Sequence, residues 1–352
     1  MKNLMDFSVG ALFYWAIGWA LMYGSSVSGL FGFSQFFILE ADSTLFRDWM
    51  FQVVFAATAA TIVSGAMAER TKFSAYLVYS VILSAIIYPI SGHWIWGGGW
   101  LGNLGFHDFA GSIVVHSVGG WIALAAILVL GSRHNRYDSE GKIRHVHPPS
   151  NIPFLALGAW ILTVGWFGFN VMSAQAIDGI QGLVAMNSLM AMVGGILAAT
   201  FVGDKDPGFV HNGPLAGLVA ICAGSDVVSP LGALVIGLVA GFLFVKAFTW
   251  TQKTLKIDDV LGVWPLHGLV GIWGGLAAGI FGSEALGGLG GVSIISQVIG
   301  IMIGITIAFV GGYIVYQVVN KVLPIRMSDD EQYLGADLTF HKIHANPPGD
   351  DY

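Results

Sequence analysis

The fold is decided by the stretch Asp108-Phe109-Ala110-Gly111-Ser112-Ile113-Val114-Val115-His116. It places a carboxylate at the start of an apolar helix and an imidazole about two turns deeper. The same spacing recurs in a second apolar run, Asp259-Val260-Leu261-Gly262-Val263-Trp264-Pro265-Leu266-His267. An unpaired polar group in an apolar medium costs on the order of several kcal/mol. A functional role is therefore predicted for both histidines.

The composition is that of a membrane protein. Of 352 residues, 55% are hydrophobic and 10% are charged, against roughly 25% charged residues in an average soluble domain. The 49 glycines recur inside apolar runs, where small residues let helices in lipid approach closely. The net charge of −6 gives no indication of nucleic-acid binding, for which a basic surface is typical. The single cysteine, Cys222, excludes an intrachain disulfide and any multi-cysteine metal site.

Ten apolar stretches are long enough to cross about 30 Å of hydrocarbon. They lie at roughly 6–24, 46–67, 73–95, 109–131, 152–173, 181–203, 208–225, 229–250, 261–281 and 292–319. The seventh is the weakest, because it is short and contains His211, Asn212 and Pro214. No small-residue cleavage site follows the polar start of the first stretch, so we expect a span there and not a signal peptide.

Basic residues indicate the orientation, because Lys and Arg are retained on the cytoplasmic side of a membrane. In the ten-span arrangement, 14 of the 15 lie on one side, and Arg47 lies on the other. The loops on the side of Arg47 carry acidic residues: Glu40, Asp42, Asp178, Asp226 and Glu284. We therefore predict a multi-pass protein of the cell (inner) membrane, with both termini in the cytoplasm.

The two Asp-x7-His copies indicate an inverted repeat. They fall in the fourth and ninth spans, so they run through the membrane in opposite directions, as in proteins with a site at the midplane. Coincidence is the alternative, since the spacing joins two common residue types. One transmembrane domain is predicted over 1–323, with halves at 1–131 and 152–323 and a cytoplasmic hinge loop at 132–151. Residues 324–352 are predicted to form a solvated cytoplasmic tail.

His116 and His267 are candidate partners in a proton relay. A neutral imidazole donates from one ring nitrogen and accepts at the other, so two in contact can share a proton. The alternative for each is a histidine satisfied within the core. Two histidines do not complete a metal site, and the spans offer no third ligand at a suitable spacing. Neither a metal nor any other cofactor is expected.

Aromatic residues gather at the outer ends of the spans. Phe51 and Phe55 begin the second span, and three tryptophans surround the triplet Gly97–Gly99: Trp94, Trp96 and Trp100. Interfacial tryptophan is typical of an anchoring belt, but aromatic faces also hold small cations, worth roughly 2 kcal/mol when desolvated. The spacing favours a cation site at Trp96. Further aromatic residues and a hydroxyl lie in Gly165-Trp166-Phe167-Gly168-Phe169-Asn170-Val171-Met172-Ser173.

The two aspartates have a plain interpretation as helix N-caps. Asp108 is predicted at the extracellular entrance, where a carboxylate either concentrates a cation or orients the backbone. Asp259 is predicted on the cytoplasmic side, with a structural role or a place in the proton pathway.

With these residues assembled, the chain resembles the ammonium transporter family (Amt/MEP/Rh), and its Amt branch in particular. The resemblance covers nearly the whole length. Its motifs occur in the family's order: Asp6-Phe7 with Tyr14-Trp15-Ala16-Ile17-Gly18, Phe51-Gln52 to Phe55, Gly65-Ala66-Met67-Ala68-Glu69-Arg70, Trp96-Gly97-Gly98-Gly99, Asp108-Phe109-Ala110-Gly111 with Val115-His116, Gly165 to Asn170, and Asp258-Asp259 with His267-Gly268.

The resemblance implies a homotrimer with one pore per subunit. Its substrate would be ammonium or ammonia, with methylammonium as an analogue. NH4+ would bind at an external site, lose its proton at a dry constriction, and pass as NH3 while the proton follows the imidazole pair. The residues that match the external site are Trp96, Phe55 and Ser173, with support from Asp108. The gate matches Phe55 and Phe169, with Phe51 nearby. The pore matches His116 and His267.

The chain departs from the family pattern in two places. The family usually has eleven spans, and this sequence begins where the second is expected. The tail keeps Gly335 and Asp337, but it reads His341-Lys342-Ile343 where a Gly-Glu pair is expected after histidine. This second departure falls in the region through which a PII-type regulatory protein would act at the cytoplasmic face.

Two alternatives to a transporter remain open. The first is a sensor that binds ammonium with little or no flux, which the altered tail and the missing first span favour. The second is an Rh-like channel for NH3 gas, although the Rh branch usually lacks the tryptophan that matches Trp96. An enzyme is not expected, because the sequence pairs no nucleophile with a base or metal cluster.

Overall fold

Ten apolar helices make up the body of the protein. The computed structural model describes residues 1–40, 42–145, 147–175 and 179–343. Within these ranges the helices are α1 Lys2–Tyr23, α2 Ser43–Met67, α3 Phe73–Asn103, α4 Ser112–Leu130, α5 Ile152–Met172, α6 Gln181–Val202, α7 Pro207–Ile221, α8 Pro230–Lys253, α9 Trp264–Phe281 and α10 Ile294–Val322. The predicted all-α polytopic bundle is confirmed.

The helix count agrees approximately with the ten predicted spans. In the described part of the chain, nine helices are long and apolar enough to cross a membrane. The tenth, α7, has 15 residues, and it is the stretch that the sequence marked as weakest. Pro214 lies inside α7 without ending it.

Polar side chains fix where several helices begin. Asp42 accepts a hydrogen bond from the backbone N–H of Leu45, at 2.8 Å, at the start of α2. Asn151 accepts one from Phe154, at 2.9 Å, at the start of α5. Such caps satisfy backbone donors that the first helical turn leaves free. The boundaries seen in the structure therefore follow local sequence signals.

Glycine lets helices of the second half pack in backbone contact. A Cβ atom at Gly217 in α7 or at Gly237 in α8 would overlap the carbonyl oxygen of Ala191 in α6. Larger side chains at these positions would push the three helices apart. The glycine content therefore reflects close helix packing in this half.

The repeated helices α4 and α9 cross in opposite directions. A Cβ atom at Gly120 would overlap the backbone of Gly268, and one at Gly271 would overlap the carbonyl oxygen of Ser112. Residue numbers at the contacts thus decrease along α4 as they increase along α9, so the two helices are antiparallel. The predicted inverted arrangement of the two copies is present in the fold.

A buried charge cluster joins the halves at one face, called here the basic face because the ends of α2 and α4 place Arg70 and Arg133 on it. Arg133 donates from Nε and Nη2 to the two carboxylate oxygens of Asp258, each at 2.9 Å. Arg70 donates from Nη2 to the carbonyl oxygen of Asp258 at 2.7 Å. Burial alone would raise the pKa of Asp258, but hydrogen bonds and charge from Arg133, with the charge of Arg70, hold it below its ordinary value.

The tail packs on the basic face over its first residues. Lys72 donates its backbone N–H to the carbonyl oxygen of Ile325 at 2.8 Å, and Met327 donates to that of Arg70 at 2.9 Å. Ile325 and Met327 are buried. The expectation of a solvated tail from residue 324 is therefore wrong for this segment, because its apolar side chains fill the groove beside the cluster. The short helix α11, Asp329–Leu334, follows with a capping box at Ser328 and Glu331.

Candidate functional site

Both histidine-bearing helices start with a π-helical turn below a buried aspartate. The turn in α4 covers Ser112–Ser117, and the turn in α9 covers Trp264–Leu269. Single π-helical turns inside α-helices are frequent at functional sites. The sequence pattern predicted the carboxylates and the histidines, but it gave no sign of the wider turn.

Asp108 binds the backbone at the start of α4. Its Oδ1 accepts from the N–H groups of Gly111, at 3.1 Å, and Ser112, at 2.8 Å. Its Oδ2 accepts from Ile113 and Val114, each at 2.8 Å. Gly111 has a φ of 104°, which a residue with a side chain rarely adopts. The Asp108 carboxylate therefore orients the helix start and does not line the neighbouring cavity.

Asp259 has the corresponding position at the start of α9. It accepts from the N–H groups of Val263, at 2.9 Å, and Trp264, at 2.7 Å. It lies at the basic face, next to Asp258. Burial raises the pKa of Asp259 to about 6, against the opposing effect of these hydrogen bonds.

The two histidines meet where α4 and α9 cross. Nδ1 of His116 lies 3.2 Å from Nδ1 of His267, and the ring centroids are 5.3 Å apart with planes inclined by 22°. At this distance one ring donates an N–H to the other. Nε2 of His116 is buried and has no hydrogen-bond partner in the described part of the chain.

The ring of His116 is fixed by an indole. Trp166 of α5 stacks on it with centroids 5.0 Å apart and planes inclined by 20°. The Trp166 Nε1–H donates to Sγ of Cys222 at 3.3 Å, and that thiol donates to Oδ1 of Asn170 at 3.2 Å. From Cys222 the sequence yielded only the exclusion of a disulfide and of a multi-cysteine metal site, and it gave Trp166 no separate role. Neither contact has a sequence signal, because the partners lie on different helices.

Aromatic rings connect the histidine pair with the face opposite the basic face. The rings of Phe55 and Phe169 stack with centroids 4.1 Å apart, and Phe169 lies 5.5 Å from His116. The next ring outward is Phe51, 4.8 Å from Phe55. The three phenylalanines thus form a continuous line toward the imidazoles.

Trp96 stands beside this line at the point where α3 turns. Its ring lies 5.9 Å from Phe55, edge to face, and its Nε1–H donates to the carbonyl oxygen of Asp108 at 2.8 Å. The turn requires glycine, because Gly98 has a φ of 79° and a Cβ atom at Gly97 would overlap the carbonyl oxygen of Met22. Backbone geometry therefore sets the position of the indole.

A cavity of about 550 Å³ opens above these rings, and it is called here the vestibule. Phe55, Trp96 and Ser173, which the family resemblance groups together, all line it. Its lining is aromatic with scattered oxygen atoms, which suits a small cation. The full lining is Trp19, Tyr23, Asp48, Phe51, Gln52, Phe55, Ile95, Trp96, Phe109, Ser173 and Gln175.

Fold and site together define a helical membrane protein with an aromatic cavity above a buried pair of histidines. A model of the Ammonium Transporter Family matches residues 1–346. The chain therefore belongs to the ammonium transporter family. The family is a transporter family, and ammonium transport is the activity for which its curated members are named.

Individual relatives agree with this assignment. Ammonium transporter Amt2 of Archaeoglobus fulgidus is 42% identical over 379 residues, covering 99% of this chain and 80% of its own. Ammonium transporter Amt2 of Methanocaldococcus jannaschii is 40% identical, covering 99% and 83%. Among solved structures, one described as "Sensor Amt Protein" superposes with a TM-score of 0.91 at 36% identity, covering 96% of this chain and 88% of that one.

Proposed function

We propose that this protein binds NH4+ in the vestibule, removes its proton and conducts NH3 past the paired histidines. The observation that supports this most is the unbroken series of contacts from Trp96 and Phe55 through Phe169 to His116. A cation held on aromatic faces and by the Ser173 hydroxyl would leave its polar environment when it passes the stacked rings of Phe55 and Phe169. Charge is costly in the apolar space beyond it, so loss of a proton is favoured there.

The histidine pair suits the second half of this proposal. Two neutral rings in contact accept and pass on a proton without a net charge at rest. NH4+ is close to K+ in size, so size alone does not separate them, whereas K+ has no proton to lose. Selectivity would therefore come from deprotonation, with the proton following His116 and His267.

Voltage-clamped ammonium flux in reconstituted membranes tests this mechanism. We expect Trp96→Leu to weaken ammonium binding, and we expect His116→Ala and His267→Ala to lose discrimination between ammonium and K+. Ammonium currents with unchanged exclusion of K+ in both histidine variants would remove the selectivity role from the pair.

The orientation and assembly of the protein are part of the proposal. Because Lys and Arg favour the cytoplasmic side, the basic face and the C-terminal tail are assigned to the cytoplasm and the vestibule to the outside of the inner membrane. The family resemblance supports a homotrimer and a PII-type partner at the basic face. Size measurement in detergent by light scattering and PII binding with and without residues 324–352 test these two points.

Ammonium sensing with little flux is the second candidate, because one similar structure is described as a sensor. The curated relatives are named transporters, which favours transport. Uptake of methylammonium into liposomes separates the two, since a sensor would bind ammonium without uptake. Flux that follows NH3 and not NH4+ would instead support an Rh-like channel.

A further inference from the structure

An acidic side chain lies in the vestibule about two helical turns outward from Phe55 of the aromatic site. Asp48 of α2 lines the vestibule together with Trp96 and Ser173. It also lines two adjoining cavities on the same face, of about 390 Å³ and about 560 Å³. The carboxylate of Asp48 is therefore next to each of these three openings.

The charge of Asp48 is only weakly neutralised. Its Oδ1 lies 2.8 Å from Nη2 of Arg47, and the side chains are 47% and 71% exposed. An exposed ion pair of this kind contributes little to stability. A cation from solution can therefore replace the guanidinium at little cost.

Gln52 follows Asp48 by four residues, so both side chains lie on one face of α2. The residue is only 8% exposed and lines the vestibule with Phe55. Its Oε1 is buried and accepts no hydrogen bond from any residue that the structure describes. A buried acceptor left without a donor is destabilising. The oxygen is itself shielded from solvent, so the amide of Gln52 must turn to present it to a donor that enters the cavity.

We propose that Asp48 and Gln52 form an outer subsite that captures ammonium before it reaches the aromatic site. The ligand is a small monovalent cation with N–H donors: the carboxylate attracts its charge, and Gln52 Oε1 accepts one of its N–H bonds. Arg47 competes with the ligand for Asp48. This inference rests on the proposed function of the vestibule as an ammonium site.

The two members of the subsite differ in their response to salt. The attraction of Asp48 is a charge effect between exposed groups, so salt screens it, with a Debye length of about 30 Å at 0.01 M and about 3 Å at 1 M. A hydrogen bond from the ligand to the buried Gln52 oxygen would be shielded from solvent, so salt would leave it nearly unchanged. Salt dependence thus separates the contributions of the two residues.

The test measures uptake of ammonium, or of its analogue methylammonium, into proteoliposomes. The quantity compared is the substrate concentration that gives half-maximal uptake. For Asp48→Asn we expect this concentration to rise about threefold to tenfold at low ionic strength, with unchanged maximal flux, and to approach the wild-type value at high salt. For Gln52→Met the rise should persist at high salt. Arg47→Gln should lower it, because the competing cation is gone.

Glu284→Gln is the matched control. It removes one carboxylate from the loop after α9 on the same face, and Glu284 does not line the vestibule. An equal change in Glu284→Gln and Asp48→Asn would reduce the effect to general surface charge and overturn the subsite. So would an Asp48→Asn effect that high salt does not reduce.

Trp96→Leu separates the two proposals. If Trp96→Leu abolishes ammonium binding while Asp48→Asn and Gln52→Met leave it unchanged, the subsite is wrong and the aromatic site stands. If Trp96→Leu has no effect, the proposed function fails first. The ammonium-dependent rise in the melting temperature of the purified protein gives the same comparison without requiring flux.

Discussion

The indole of Trp166 stacks on the imidazole of His116 with ring centroids 5.0 Å apart. Its N–H is held by the thiol of Cys222 at 3.3 Å. One face of the His116 ring is therefore covered by an indole that is itself fixed. Nδ1 of the same ring contacts Nδ1 of His267. Rotation of His116 away from His267 would require Trp166 to move as well.

Trp166→Leu should slow ammonium flux by about tenfold or more, because a displacement of about 1 Å can cost a positioned group up to 10²-fold in rate. Trp166→Phe keeps a stacking ring and should retain most of the flux. The measurement is initial uptake per correctly folded protein. Trp273→Leu is the control, because this indole donates to the carbonyl oxygen of Ile236. Equal losses in the two leucine variants would contradict a positioning role.

Gly120→Ala should prevent normal folding, because its Cβ atom would overlap the backbone of Gly268 where α4 crosses α9. A backbone clash cannot be relieved by a rotamer change. Gly158→Ala in α5 is the matched control, since nothing in the described residues lies within 4 Å of a Cβ there. That variant should be neutral or more stable by about 0.5–1 kcal/mol. Yield and melting temperature after detergent extraction decide between them.

Arg133→Met should destabilise the protein by about 3 kcal/mol, because it leaves the buried carboxylate of Asp258 without its main partner. Arg144→Met in the same loop is the control, since this side chain is exposed, and its effect should stay within about 0.5 kcal/mol. Chemical denaturation followed by circular dichroism measures both. Similar values for the two variants would show that the Arg133–Asp258 pair contributes little.

Stability should depend on pH through Asp258. Since hydrogen bonds and charge from Arg133 outweigh burial and hold its pKa below the ordinary value, the pair stabilises the protein fully above pH ~4, the ordinary carboxylate pKa. That stability is lost as the pH falls through the folded-state pKa. The difference in melting temperature between wild type and Asp258→Asn should therefore shrink below pH ~4. A difference that stays constant from pH 7 to pH 3 would exclude this titration.

Much of the fold was predictable because it depends on local patterns. Apolar length gave the spans, and the structure shows that local capping residues such as Asn151 mark where helices begin. The two Asp-x7-His copies predicted that α4 and α9 run in opposite directions. The buried start of the tail was not predictable, because the groove that holds Ile325 is formed by segments distant in sequence.

The candidate site divides in the same way. Phe55, Trp96 and Ser173 were grouped through the family resemblance, and the structure places them around one cavity. The support of His116 by Trp166, and the unpaired oxygen of Gln52, depend on which faces of different helices meet. A single sequence carries no periodic signal for such contacts. The Asp108 carboxylate also differs in detail, because its four backbone donors leave it facing the helix and not the cavity.

Because of the π-helical turn over Ser112–Ser117, the direction in which the His116 side chain points depends on the number of residues in that turn. One residue rotates a side chain by about 100° around an α-helix axis, and the wider turn takes up one extra residue within its length. Removing a single residue there would rewind the segment as a regular α-helix and swing the imidazole toward the lipid or a neighbouring helix. The same holds for Trp264–Leu269, so insertions and deletions in these two segments would disrupt the pairing of the rings even when each amino acid that lines the path is kept.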